Sequence, residues 1–350
     1  MKDKILKKLA FSHVRIVVFI LLEIILIILS VIKVKTSYYN AKNYTGMVIY
    51  GDVGQGDSAV IRLPDGKVMV IDSGPDEEKA KRNITKALSR VVNSDNVIDY
   101  VVLTHTDVDH CGNMCYLFDN YVIKNFYRPN QFQPGIEDVN PYEERNDFTN
   151  AEYIRVIIKA QNEEGINTYV SKAGMTINGS GYKVNFIAPL KTVYDNSNDY
   201  SSVIMLNIYN KKFLFTGDIS SAVEEEIINV YPPQKIDFLK VAHHGSRYSS
   251  SYDFINHFLP DYAIISCEKN NQYGFPSPSV INNLTSNGVE KQNILCTYNG
   301  NIYVFVSEEK CVLAGENDIL RPYTLVYLIV ILTTINFLLC FIKFYNKDEY

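Results

Sequence analysis

Thr104-His105-Thr106-Asp107-Val108-Asp109-His110 decides the reading of this chain. It follows Ile98-Asp99-Tyr100-Val101-Val102-Leu103, an apolar run that reads as a buried strand ending at the loop. His105, Asp107, Asp109 and His110 are thus crowded at a strand mouth. Imidazole and carboxylate are the donors that first-row divalent ions prefer. Without a cation, Asp107 and Asp109 would repel each other at close range. A lone His-x-Asp would read as a solvated turn; His-x-Asp-x-Asp-His after a strand reads as a metal loop.

Working outward, the chain before this loop alternates like strands at 47–53, 58–63 and 67–71. Gly54-Gln55-Gly56-Asp57 and Pro64-Asp65-Gly66 form the turns, and Asp72-Ser73-Gly74-Pro75 closes the third run. Residues 77–92 have helical spacing. Beyond the loop come a short helix at 113–118, a strand at 122–127, a polar loop at 129–149 and a helix at 151–163. Residues 168–188 read as short strands with Asn178-Gly179 as the hairpin turn. A further hairpin spans 203–216 and ends in Gly217-Asp218, before a helix at 222–230. A strand at 236–242 ends in His243-His244-Gly245-Ser246. The last strands are at 293–297 and 302–306.

The two halves echo each other. Residues 98–105 resemble residues 236–243, and each follows a strand hairpin ending in an Asp, Asp72 or Asp218, and then a helix. Such a duplication predicts two similar β-rich layers with helices outside and both His-bearing strand ends opening on one edge. Asp218, and His243 or His244, thereby join His105, Asp107, Asp109 and His110 as candidate ligands. Two ions a few Å apart need about that many donors and a shared carboxylate, for which Asp218 is suited.

These pieces resemble the metallo-β-lactamase fold, and within it the metallo-hydrolase domain of the DNA-internalisation competence protein ComEC. The resemblance rests on residues 51–58, 71–74, 103–113, 215–218 and 240–246 and on Tyr273-Gly274-Phe275-Pro276, in family order across 47–306. It implies an α/β four-layer αββα sandwich. It also implies a dinuclear hydrolase of phosphodiesters, with zinc or manganese as the ions and single-stranded DNA among the expected substrates. Asp107 stands where the common motif has a second His, which makes the site richer in oxygen. Gly274-Phe275-Pro276-Ser277 stands where the family shows Gly-His-Pro-His. Asp109 or Asp107, to hold the proton of an attacking water, His244, and Arg247, to meet a phosphate oxygen, are the catalytic candidates. A cell-wall or head-group phosphodiester is the rival substrate, and a degenerate membrane-tethered binding protein the rival role.

Composition bounds the rest. Among 350 residues, 34 basic and 39 acidic side chains give a net charge of −5, which weighs against broad binding to nucleic acid. Residues 16–32 are almost wholly Ile, Leu and Val, broken by Glu23, and residues 325–342 carry no charge. Both approach membrane-spanning length. Glu23 costs about 2.5–3.5 kcal/mol at mid-membrane unless it is paired. The basic residues before residue 16 place the N-terminus in the cytoplasm. The expected organisation is a tail and span over 1–35, a linker over 36–45, the hydrolase domain over 46–310, a linker over 311–321 and a second span over 322–344. The domain then lies outside the membrane, with membrane lipid and a DNA-uptake or other membrane complex as expected partners.

Overall fold

The computed structural model describes residues 20–21, 24–29, 44–130, 151–163, 165–316, 328–329, 331–333 and 335. Two compact units emerge, Tyr44–Gly315 and a second made of the two terminal stretches. In the second, Ile24, Ile25, Leu26, Ile28 and Leu29 are helical and exposed. Among the described residues, no helix is long and apolar enough to cross a membrane. Most of the two expected spans lies outside the described residues.

Period-two apolar runs become two mixed sheets in the larger unit. In chain order the first half gives β1 (Gly46–Tyr50), β2 (Ala59–Arg62), β3 (Val68–Ile71), β4 (Val97–Val102), β5 (Val122–Arg128) and β6 (Asn167–Val170). Then come β7 (Thr176–Gly179), β8 (Tyr182–Ala188), β9 (Val203–Ile208), β10 (Lys211–Phe215), β11 (Phe238–Lys240), β12 (Tyr262–Ile265) and β13 (Ile294–Cys296). Finally β14 (Ile302–Val306) and β15 (Cys311–Gly315) return to the first sheet. The orders are β15-β14-β1-β2-β3-β4-β5-β6 and β13-β12-β11-β10-β9-β8-β7. Each sheet passes from antiparallel to parallel pairing: β3-β4-β5-β6 are parallel in one, β10-β11-β12-β13 in the other. Asp72 and Asp218 follow equivalent strands, β3 and β10, so the echo between the halves recurs in the topology.

Val48, Tyr50, Ile61 and Met69 of the first sheet share one buried cluster with Val184, Phe186, Ile204 and Phe213 of the second. Ile49, Val60, Val70 and Val101 alternate with the first set and are equally buried on the other face. Burying each such side chain contributes about 1.5–3 kcal/mol. A one-residue slip would exchange the faces, so the register is strongly specified. Helices α1 (Glu78–Leu88), α2 (Val108–Cys111), α3 (Met114–Asn120) and α4 (Ala151–Asn162) belong to the first half. Helices α5 (Ser221–Val230), α6 (Tyr252–Phe258) and α7 (Pro278–Ser286) bury Val223, Phe254 and Val280 against the outer side of the second sheet.

Two sequence expectations shift. The hairpin turn between β7 and β8 falls on Ser180-Gly181, not Asn178-Gly179, because Gly181 takes the left-handed conformation (φ +81°). The sheet also continues past residue 310: β15 lies antiparallel to β14, pairing Gly315 with Ile302, which pairs in turn with Tyr50. Residues 311–315, expected in a linker, are therefore an edge strand.

Ile71 is level with Val102, Phe215 with Lys240 and Tyr50 with Ala59. The loops after β1, β3, β4, β10 and β11 consequently gather on one rim, where all the candidate ligands lie. The loop after β11 is anchored from behind by Glu224 on α5, which accepts the backbone N–H groups of Ser250 and Ser251. Burial pushes the Glu224 carboxyl up to about 7 despite those donors. The folded chain therefore keeps a proton that the unfolded chain releases near its ordinary value of 4.5. Stability should fall as pH rises between about 4.5 and 7, by about 3 kcal/mol. Urea unfolding across that window checks this, and Glu224→Gln should flatten the slope.

Candidate metal centre

The metal loop is tied in place before any side chain is considered. Ser73 N–H donates to the His110 carbonyl at 2.7 Å, and Asp57 N–H to the Asp109 carbonyl at 3.1 Å. Across the rim, His243 N–H donates to the Gly217 carbonyl at 3.1 Å. His243 and His244 both adopt left-handed backbone (φ 49° and 54°), and Gly245 follows at φ +85°. Non-glycine residues held there cost about 1–3 kcal/mol each, a strain that clusters at functional sites. This tight turn turns two consecutive imidazoles toward Asp218.

Each ring is oriented by its Nδ1. His244 Nδ1 donates to the Ser266 carbonyl at 2.8 Å. A carbonyl only accepts, so Nδ1 carries a hydrogen and Nε2 is the atom that faces the site, with a lone pair once its own proton is lost. His110 Nδ1 donates to Asp72 Oδ2 at 2.8 Å, while Asp72 also accepts the Thr104 N–H and hydroxyl, both at 2.7 Å. His105 Nδ1 lies 3.1 Å from the Thr104 hydroxyl.

The Nε2 atoms then converge. His110 Nε2 is 3.4 Å from Asp218 Oδ1 and 3.4 Å from His244 Nε2. His244 Nε2 is 3.2 Å from both Asp218 Oδ2 and Asp109 Oδ2. Donors about 2.0–2.1 Å from a tetrahedral ion stand about 3.4 Å apart, so this spacing suits one. The same Asp218 Oδ2 lies 4.0 Å from His105 Nε2 and 3.8 Å from His243 Nε2. His105 Nε2 is also 3.8 Å from Asp107 Oδ2.

His105 Nε2 and Asp218 Oδ1 are buried with no hydrogen-bond partner. Leaving such atoms unsatisfied costs about 1–3 kcal/mol each, and a cation satisfies both. The buried group Asp57, His110, Asp218 and His244, with ligand atoms all within 4.8 Å of one another, is accordingly suited to a metal ion.

The charges agree. Burial opposes the ionised Asp218, yet His244 and His110 outweigh it and hold the carboxyl well below its usual range. Burial likewise opposes protonation of His244, but Asp218 and Asp57 lift it to about 10. Burial drops His105 well below its ordinary value. At pH 7 the metal-free chain thus holds a proton on His244 that a divalent ion must displace. Metal binding at pH 7 should release protons, and affinity should rise with pH up to about 10. Calorimetry in buffers of different ionisation enthalpy measures the protons released. Binding enthalpies independent of buffer would contradict this arrangement.

The structure thus brings His105, Asp107, Asp109, His110, Asp218, His243 and His244 to one rim. His244 is buried, while the His243 side chain is 29% exposed. Arg247 is exposed, and its contacts among the described residues are with Tyr248: it donates to the hydroxyl at 2.6 Å and lies 4.8 Å over the ring. Phe275 stacks on His244 with centroids 6.3 Å apart and stands edge-on to His243 at 5.9 Å. It presents an apolar wall to both imidazoles. Asp57, Asp72 and Lys240 stand among the motif residues, yet composition and spacing assign them no role.

A family model for the metallo-beta-lactamase superfamily matches residues 51–268, which hold every one of these donors. The chain belongs to the metallo-beta-lactamase superfamily. Within the superfamily, it is 28% identical over 256 residues to "ComE operon protein 3" of Bacillus subtilis (strain 168), covering 69% of this chain and 31% of that protein. It is 27% identical over 233 residues to "Recombination protein 2" of Haemophilus influenzae, covering 67% and 26%. The chain therefore spans less than a third of the length of these curated relatives. Among solved structures, it resembles the metallo-beta-lactamase fold protein YhfI from Bacillus subtilis. That match has 10% identity and a TM-score of 0.45, and covers 71% of this chain and 95% of that one.

Proposed function

We propose that this superfamily hydrolase uses two divalent ions to cleave a phosphodiester. The observation that carries the reading is the number of donors gathered on the two oxygens of Asp218. Its Oδ1 meets His110 and its Oδ2 meets His244, His105 and His243, with Asp109 beside His244 and Asp107 beside His105. When bound, such ions supply Lewis acidity and lower the pKa of a water toward 7.

The chain's own residues do the rest. Asp218 holds these donors together. Asp72 and the Ser266 carbonyl keep the Nε2 atoms of His110 and His244 pointed inward. Asp109 is the group to hold a proton from the attacking water. Burial works against its ionised form, but the hydrogen bond from His244 and the charge of His110 outweigh burial and keep it a carboxylate. The exposed Arg247 guanidinium, released from Tyr248, is the candidate to meet a phosphate oxygen.

A donor set with Asp107 in place of a second His is oxygen-rich, which supports manganese beside zinc. DNA is the proposed polyester, supported by a relative whose name speaks of recombination. Anchoring of the chain by residues 16–32 and 325–342, with the catalytic unit outside the cell membrane, is proposed from the exposed apolar helical residues at both ends.

The test is turnover by the full chain, loaded with manganese or zinc, on bis(p-nitrophenyl) phosphate and on single-stranded DNA. Folded, metal-loaded protein inert toward both with either ion would overturn the reading. Cleavage of DNA that weakens steeply with salt separates it from a head-group or cell-wall substrate.

A further inference from the structure

Asp57 differs from the three side chains with which it converges. His110, His244 and Asp218 meet through Nε2 atoms and carboxylate oxygens. Asp57 approaches both imidazoles from the opposite side. Its Oδ2 lies 3.9 Å from His110 Nδ1 and its Oδ1 3.6 Å from His244 Nδ1. Those nitrogens are already committed to Asp72 and to the Ser266 carbonyl. The same Asp57 Oδ2 is in direct contact with the Lys240 ammonium.

Lys240 ends strand β11 and is 4% exposed. Its ammonium also reaches the Gly217 carbonyl at 3.4 Å and lies 3.7 Å from Asp218 Oδ1. A buried lysine is tolerated only where charge partners repay its desolvation. Here it has one carboxylate in full contact and a second, at the centre of the site, just beyond hydrogen-bond reach.

We propose that Lys240 is a fixed cation beneath the metal centre, and that it pins Asp57 behind the histidines as a positioning residue and not a ligand. Charge neutrality supports this, resting on the two-ion reading above. Asp57, Asp72, Asp107, Asp109 and Asp218 bring five negative charges to the rim. Two divalent ions supply four positive charges, and Lys240 supplies the fifth. Without the ammonium, Asp57 is a buried carboxylate free to swing onto an ion and displace the intended donors.

The experiment is a double-mutant cycle on the full chain with cobalt(II) as probe. It reads ions bound per chain by elemental analysis and coordination by the visible spectrum. Asp57→Asn should keep the wild-type stoichiometry and spectrum, with affinity within about tenfold, the mild end expected for a residue that orients ligands. Lys240→Met should change the spectrum as Asp57 becomes a donor. Asp57→Asn combined with Lys240→Met should restore it. If Lys240→Met alone does not fold, a folded double variant with the wild-type spectrum still supports the proposal. Loss of an ion in Asp57→Asn overturns it, as does a double variant that matches Lys240→Met in spectrum or in failure to fold. Wild-type chain that binds a single ion defeats the two-ion reading instead; the four spectra then still decide the role of Asp57.

Discussion

Asp218→Asn is expected to bind at most one divalent ion and to lose turnover by about 10³-fold or more. Residues that merely orient metal ligands already cost about 10–100-fold when removed. Asp218 does more, since its Oδ1 faces His110 and its Oδ2 faces His105, His243 and His244. An amide keeps the volume and one weak acceptor but loses the charge on which these histidines depend. The metal-free fold suffers too. His244, raised to about 10, and His110, raised well above its usual value by Asp218 and Asp72 against the effect of burial, are cationic at neutral pH. With Asp218 neutral they are buried beside each other less well paired, which should destabilise the chelator-treated protein by about 3 kcal/mol. Elemental analysis, steady-state kinetics and thermal unfolding with and without chelator measure the three effects. Wild-type metal content in this variant would remove Asp218 from the ligand set.

Gly56→Ala is expected to act on the same site through the backbone. Gly56 sits at φ +147°, where an L side chain is strained. A Cβ there would come within 2.3 Å of the Asp109 carbonyl oxygen and 2.9 Å of Pro75 Cδ. Neither neighbour is the free end of a flexible side chain. The metal loop must therefore move away, stretching the 3.1 Å hydrogen bond from Asp57 N–H to Asp109. Strain and lost packing together should cost about 3 kcal/mol. The displaced Asp109 should weaken metal binding at least tenfold. Gly66→Ala is the control: its φ is also positive, but nothing lies within 4 Å of its Cβ position. Equal metal affinity in both variants would show that the close approach of the two loops has no bearing on the site.

These two positions differ in how openly the sequence displays them. His105, Asp107, Asp109 and His110 are visible as donors because four such side chains after an apolar run have few other uses. Asp218 follows from the echo between the halves. Asp57, Asp72 and Lys240 are equally close to the centre, yet nothing in their spacing says which side of an imidazole each will take. That depends on rotamers and on the facing sheet. The choice between His243 and His244 is hidden for a related reason, since three successive left-handed residues are not readable from His-His-Gly. Arg247 has a rival partner one residue away, Tyr248, and the local contact prevails in this structure. Strand β15 escapes notice because Cys311-Val312-Leu313 is a brief apolar run among charges, and only the open edge of β14 makes a strand of it.

Strand β15 has a directional effect. Had the chain left the sheet after β14, it would have departed at Val306, beside Gly46, where it first joined. Doubling back carries the polypeptide to Gly315, level with Tyr50, on the side where the catalytic loops open. The sheet thereby ends at the rim that carries the donor loops and not at its opposite pole, so the five paired residues of its last strand close the open edge of β14 over its whole length.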